Sequence, residues 1–277
     1  MREFRKKQKR LFNILKALVI FCAVFLFIFI GLKPIIADYN QTVALGLGYF
    51  ADVLVLGTLI FLFCYYSKYG KCDSFLTGVE NELSDAGYYL TSRQSKDIDS
   101  YIDEMYDDLK SCGYAMNKNI EINELDFNAK AVKKRELLYI ASSDNIDKND
   151  IVAYLDSVIY DITAVNLKKS GTAVVCFVTD KAEDNAIELS KMITPLDKKG
   201  RLKIAIAIAE VTTSRVYFLG NQKTKSQQLI ANFVMNCDVP IKDEYIGKET
   251  LPYQIELEER MKAFNLKDFN SGNFFAH

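Results

Sequence analysis

Two long apolar runs in the first 66 residues constrain the fold of this chain more than any other feature. Residues 17–32 are all apolar or glycine, and only Asp52 and Thr58 interrupt a second run over residues 43–66. A helix needs about 20 apolar residues to cross the hydrocarbon core of a bilayer. The two runs therefore predict a transmembrane hairpin over residues 11–69, with spans at about 15–36 and 43–66.

Basic residues flank this predicted hairpin on one side only. The connection over residues 34–42 carries no Lys or Arg, whereas eight basic residues lie outside the spans: Arg2, Arg5, Lys6, Lys7, Lys9, Arg10, Lys68 and Lys71. The positive-inside rule then predicts an integral membrane protein with both termini in the cytoplasm and the lipid bilayer as a partner. A cleaved signal peptide ending near residues 35–37 is the alternative, and the second span would still keep the rest of the chain inside.

Asp52 is the one acidic residue inside the second apolar run. Ala44, Gly48 and Asp52 recur at four-residue intervals, so the helical period places them on one face, where small residues allow close helix contact. Two interpretations stay open. Asp52 is either an ion site, proton site or gate in an oligomer, or a carboxylate at the outer interface that Lys33 reaches.

The composition of residues 70–277 excludes several functions. These residues contain 26 Lys/Arg and 33 Asp/Glu, a balance that argues against a nucleic-acid partner. His277 is the only histidine, which excludes Ser-His-Asp catalysis, Cys-His catalysis and His-based zinc hydrolysis. The six cysteines form no C-x-x-C pair, and no glycine-rich phosphate loop occurs. We therefore predict no catalytic residue, no metal site and no cofactor.

Apolar periodicity divides the chain into segments. Residues 1–10 form a basic cytosolic N-terminus before the hairpin, and a helical segment over 70–115 follows it. An α/β domain over 116–264 and a tail over 265–277 complete the chain.

Within the predicted α/β domain, short apolar strands alternate with helices. Strands are expected at 120–125, 136–141, 172–178, 202–211 and 215–219, and helices at 147–169, 180–192, 226–237 and 252–264, after earlier helices at 73–87 and 95–112. Near-continuous apolar strands separated by helices are typical of parallel sheets covered on both faces. The sequence therefore predicts a mostly parallel mixed sheet with a β-α-β-α-β-β core.

Polar residues follow the strands of this predicted sheet where ligands commonly bind, at the carboxyl ends. They are Ser142, Ser143, Asp144, Thr179, Asp180 and Glu210. These six residues are the candidate ligand pocket. Asp147 and Asp180 are equally well explained as helix caps.

Three functions fit these observations. The leading hypothesis is a membrane-anchored regulatory or scaffolding protein whose cytosolic domain binds a protein partner, a second copy or a ligand without catalysis. The second is a ligand-sensing membrane effector that oligomerises through its hairpin. The third is a metal-dependent nuclease or phosphodiesterase that uses Asp126, Asp144 and Asp180.

Overall fold

The computed structural model describes residues 1–165, 170–196 and 201–271. The chain divides into two units, one comprising Met1–Val79 with Glu258–His277 and the other comprising Glu80–Leu257. The first unit is helical, and the second contains the sheet.

Two long antiparallel helices form most of the first unit. Helix α1 covers Arg2–Tyr39 and helix α2 covers Gln41–Leu83. Both are long and apolar enough, by length and composition, to cross a membrane. The turn between them lies at Asn40, whose Oδ1 accepts hydrogen bonds from the backbone N–H groups of Thr42 (3.0 Å) and Val43 (3.3 Å).

The two helices extend beyond the predicted spans. Helix α1 contains Pro34 and continues to Tyr39, so the turn is shorter than the predicted connection over residues 34–42. Helix α2 runs unbroken through residues 66–71, and the predicted separate helix from residue 73 is its last part. The prediction of a separate helix was wrong because the buried face of α2 continues through this polar stretch.

A heptad pattern explains that continuity. The buried residues of α2 include a series spaced by seven: Ala44, Ala51, Thr58, Tyr65, Cys72 and Val79. On α1 the buried residues Gln8, Leu15 and Cys22 have the same spacing. A seven-residue repeat keeps one seam of each helix facing its partner and favours a left-handed supercoil. The hairpin is thus held by one buried seam, from Gln8 to Cys22 on α1 and from Ala44 to Val79 on α2.

The polar end of this seam is closed by hydrogen bonds. The buried Arg5 guanidinium lies 2.6 Å from Asp73 Oδ1, and its other nitrogen donates to Thr77 Oγ1 at 3.1 Å. Gln8 Nε2 donates to the same Asp73 carboxylate oxygen at 2.9 Å. These bonds fix the register of α1 against α2 outside the apolar region.

In the second unit, one mixed sheet contains nine strands among the described residues. The spatial order is β2-β3-β4-β5-β7-β8-β1-β9, with β6 paired to β7. The strands are β1 Gly87–Leu90, β2 Ala115–Ile122, β3 Leu125–Lys133, β4 Glu136–Ile146, β5 Gly171–Ala182, β6 Ile193–Pro195, β7 Leu202–Glu210, β8 Arg215–Tyr217 and β9 Ile246–Lys248.

Helices cover both faces of this sheet. They are α3 Ile98–Ser111, α4 Lys148–Tyr160, α5 Asp184–Ser190 and α6 Lys225–Leu229, with π-helical turns Asp161–Val165 after α4 and Ile230–Met235 after α6. A 3₁₀ turn at Asp243–Tyr245 precedes α7, which covers Pro252–Lys262, and α8, which covers Leu266–Asn270, belongs to the first unit. Alternate residues of β5 pack into two hydrophobic cores on opposite faces of the sheet. One core contains Val174, Cys176 and Val178, and the other contains Ala173, Val175 and Phe177.

The expectation of a mostly parallel sheet was wrong. Only the β4–β5 and β5–β7 pairings are parallel, and the other six pairings between described residues are antiparallel. The predicted β-α-β-α-β order does form the parallel centre, and the hairpin of β7 with β8 is antiparallel as predicted. The additional strands are short or half-exposed, so apolar runs do not reveal them.

Several predicted boundaries also shift. The segment expected to be helical over 70–115 includes strand β1, and the predicted strand at 120–125 is a hairpin of β2 and β3. Strand β5 extends to Ala182, so α5 begins at Asp184 rather than at residue 180. Residues 166–169 of the helix predicted at 147–169 lie outside the described residues.

Candidate functional site

A buried ion pair lies at the amino end of the parallel strands. Lys191 follows α5 and Asp85 follows α2, and both side chains are 0% exposed. Lys191 Nζ lies 2.7 Å from Asp85 Oδ2 and also donates to the carbonyl oxygens of Phe218 (3.0 Å) and Gly87. Burial lowers the pKa of Lys191, and the Asp85 carboxylate opposes that shift. All three ammonium protons therefore have acceptors.

The other oxygen of Asp85 connects the pair to two neighbouring elements. Asp85 Oδ1 accepts from the Tyr89 hydroxyl at 2.7 Å and from the backbone N–H of Gly220 at 3.0 Å. A side chain at Gly220 would overlap the Tyr89 ring. Burial and the Asp85 charge raise the pKa of Tyr89, so its hydroxyl stays a hydrogen-bond donor.

A cavity of about 530 Å³ opens beside this pair. Asp85, Tyr89, Gly220 and Gln227 contribute polar groups to its lining. Residues 239–241 and Ile246 contribute an apolar wall, and the exposed side chains of Lys223, Lys248 and Glu249 also line it. Cavities of roughly 300–1,000 Å³ that combine apolar walls with a few polar groups are typical small-molecule sites.

Gln227 is the residue of this cavity whose hydrogen bonding is incomplete. It lies on α6 and is 6% exposed. Its Nε2 donates to the carbonyl oxygen of Gly220, whereas its buried Oε1 has no hydrogen-bond partner. A buried acceptor without a partner costs about 1–3 kcal/mol. A ligand that donates an N–H or O–H group would satisfy it.

The predicted pocket residues lie at the opposite, carboxyl end of the parallel strands. The register places Ser143 beside Thr179 and Thr179 beside Glu210, across β4, β5 and β7. Ser142 is half-buried, and Ser143, Asp144 and Asp180 are exposed. The structure thus brings together three of the six residues in one row.

The buried members of this row bond to nearby chain segments. Thr179 Oγ1 donates within the strand ends, to the carbonyl oxygens of Asp144 (3.2 Å) or Lys181 (2.9 Å). Glu210 Oε2 accepts from the backbone N–H of Ala182 at 3.1 Å, and its Oε1 accepts from Thr213 Oγ1 at 2.6 Å. These contacts tie the strand ends together, and ligand binding by the row stays a prediction.

Helix capping explains one predicted acidic residue but not the other. Asp147 forms a capping box with Asp150 at the start of α4. Hydrogen bonds from two backbone N–H groups lower the pKa of Asp147. Asp180 lies within β5 and caps no helix, because the strand continues to Ala182.

The predicted membrane residues take different positions on the hairpin. Ala44 is 5% exposed on the seam, and Gly48 is half-buried close to Phe29. Asp52 and Lys33 are exposed and share neither a hydrogen bond nor an ion pair in the described chain. Because Phe50 contacts Phe25 across the hairpin, Asp52 lies near the middle of the first apolar run.

A second titratable feature lies at the end of α2. Burial raises the pKa of Glu82 from 4.5 to about 7, and the nearby Glu188 carboxylate adds to the shift. A smaller cavity of about 270 Å³ is lined by Glu188 and Tyr253, whose buried hydroxyl has no hydrogen-bond partner. In contrast to the Asp85–Lys191 pair, Glu82 and Glu188 bring two acidic groups close together.

No group of three His, Cys, Asp or Glu within the described ranges is arranged to hold a metal ion. Asp126, Asp144 and Asp180 are exposed on three different strands and do not form such a group. Comparisons with protein-family models, with curated proteins and with solved structures find no significant match to this chain. Function must therefore be argued from the site itself.

The residues of the ion pair and of the cavity are ones that the sequence pattern did not single out. Asp85, Lys191 and Gln227 are far apart in the sequence, and each resembles an ordinary surface residue near a helix. The nearest signal is Gly220, which directly follows the predicted strand at 215–219 and by itself indicates only a turn. Nothing in one sequence shows that these residues meet.

Proposed function

We propose that this chain is a membrane-anchored binding protein whose α/β unit holds a small polar ligand in the cavity beside Gln227. The proposal specifies the leading hypothesis from the sequence, because it assigns the binding role to a defined site. It requires no catalytic step.

The anchor in this proposal is the hairpin of α1 and α2. Both helices are long and apolar enough to span a bilayer, and eight of the ten basic residues in residues 1–71 lie at the ends away from the turn. The positive-inside rule supports an orientation with both termini, and hence the α/β unit, on the cytoplasmic side.

The single observation that carries the binding role is the unpartnered Oε1 of Gln227, a residue that lines the cavity. The amide is held in place, since its Nε2 is bonded to Gly220, which is itself bonded to Asp85. An acceptor that is held in place and unpaired gains a hydrogen bond when a ligand donor reaches it. The apolar wall supplies the burial that such a ligand needs.

Benzamide is a suitable probe, because it combines an N–H donor with a flat apolar ring. We expect saturation-transfer NMR on the full chain in detergent to show benzamide binding. Gln227→Leu removes the acceptor and should weaken binding about tenfold, in line with the roughly 1–3 kcal/mol of one buried hydrogen bond. Ile241→Trp should abolish binding by filling the cavity.

Val152→Trp is the matched control, since Val152 is exposed on α4 and outside the cavity lining. It should leave the benzamide signal unchanged. Absence of benzamide binding to the natural chain, or equal binding to all four proteins, would overturn the proposed function.

A further inference from the structure

We infer that the ligand of this cavity is a nucleoside monophosphate, an inference that rests on the proposed function. Three chemically different parts of the lining carry it: one free acceptor, one apolar wall and two free cations. A nucleobase, a ribose and a phosphate offer matching groups in one molecule of suitable size.

The acceptor selects the edge of the ligand. Gln227 Nε2 gives one of its two protons to Gly220, and its unpartnered Oε1 requires an N–H or O–H donor from a ligand. The exocyclic amino group of a nucleobase is such a donor, and glutamine side chains commonly read base edges by hydrogen bonds. The wall formed by residues 239–241 and Ile246 provides apolar contact for the ring.

The cations select the charge of the ligand. Lys223 and Lys248 line the cavity with exposed side chains, and neither ammonium group has an ion-pair partner among the residues the structure describes. The acidic residue beside them, Glu249, is paired with Arg215 at 3.3 Å. Asp85 is likewise neutralised by Lys191. The uncompensated charge at the cavity is therefore positive, which favours a phosphate.

The test compares three probes by isothermal titration of the full chain in detergent. AMP carries both base and phosphate, adenosine lacks the phosphate, and ribose 5-phosphate lacks the base. We expect AMP to bind about tenfold more tightly than either partial probe, with an advantage over adenosine that shrinks as salt is added.

Two substitutions locate the phosphate. Lys223→Met and Lys248→Met should each lower AMP affinity several-fold and leave adenosine affinity unchanged. Lys148→Met is the matched control, because Lys148 is exposed at the start of α4 and outside the lining. It should change neither affinity.

Adenosine or ribose 5-phosphate binding as tightly as AMP would overturn the inference, as would lysine variants that behave like the control. Failure of all three probes also overturns it. The benzamide experiment separates this failure from failure of the proposed function, because benzamide needs only Gln227 and the apolar wall. Benzamide binding without AMP binding leaves a small-molecule site of another class.

Discussion

Removing the Lys191 ammonium tests the buried ion pair most directly. Lys191→Met keeps the unbranched side chain up to the Cε position and deletes the charged ammonium group. Asp85 then remains buried with two donors, Tyr89 and Gly220, and no counter-charge. The carbonyl oxygens of Gly87 and Phe218 lose their donor as well. A carboxylate left buried without its cation is the main source of the expected loss.

Breaking one partner of a buried pair costs about 3–5 kcal/mol. For a unit of this size, each kcal/mol lowers the melting temperature by roughly 2–4 °C, so we expect a fall of about 6–20 °C. Asp85→Asn combined with Lys191→Met removes the stranded charge and keeps an acceptor for Tyr89 and Gly220. The double variant should recover about 1–3 kcal/mol relative to Lys191→Met alone.

Circular dichroism during thermal unfolding of the full chain is the appropriate measurement, because the chain has no tryptophan to report by fluorescence. The exposed Lys148→Met serves as the control and should stay within about 0.5 kcal/mol of the natural chain. A loss below about 1 kcal/mol for Lys191→Met, or a double variant less stable than the single one, would refute the assignment of this pair as a structural element of the site.

Two further predictions concern the same unit. Because the folded pKa of Glu82 is raised from 4.5 to about 7, its contribution to stability is complete below pH 4.5 and is lost as the pH rises through 7. Stability should fall by about 1 kcal/mol between pH 5 and pH 8 after allowance for solvent screening, and Glu82→Gln, but not the exposed Glu121→Gln, should abolish that fall in urea unfolding. Gly220→Ala should cost about 1–3 kcal/mol, because the new methyl group displaces the Tyr89 ring. The helical Gly78→Ala, which meets no neighbouring atom, should be neutral or slightly stabilising in the same melting experiment.

The parallel centre of the sheet follows from the sequence because its strands are apolar on both faces. Strands β4, β5 and β7 contain runs such as Val174–Val178, which only a doubly covered sheet buries. The outer strands obey a different rule. In β2, most residues are exposed, and its turn to β3 needs Asn123 and Glu124 at positive φ. One-sided or exposed strands leave a weak alternation, which single-sequence reasoning does not separate from loops.

Strand β1 illustrates a second limit. It lies between α2 and α3 in the chain, yet it joins the sheet between β8 and β9. Its four residues, Gly87–Leu90, carry two tyrosines and no long apolar run. The pairing is decided by tertiary contacts, such as the approach of Gly87 to the Glu249 backbone, which is too close for a side chain at position 87. Local propensity contains no information on such a distant partner.

The position of the cavity follows from the placement of β1 between β8 and β9. Since β8 runs antiparallel to β7 and β1 antiparallel to β8, the residues after β8 and before β1 meet at the amino end of the parallel strands. Asp85 and Gly220 are those residues, and Lys191 joins them there.

A chain of hydrogen bonds then runs from this pair to the proposed ligand. Lys191 holds Asp85, Asp85 holds the backbone N–H of Gly220, and the carbonyl oxygen of Gly220 holds the Gln227 amide. The free acceptor is therefore fixed in place by an ion pair that does not itself need to touch the ligand. Because each member is buried, the orientation of Oε1 is set before any ligand arrives, which is the arrangement expected of a preorganised binding site.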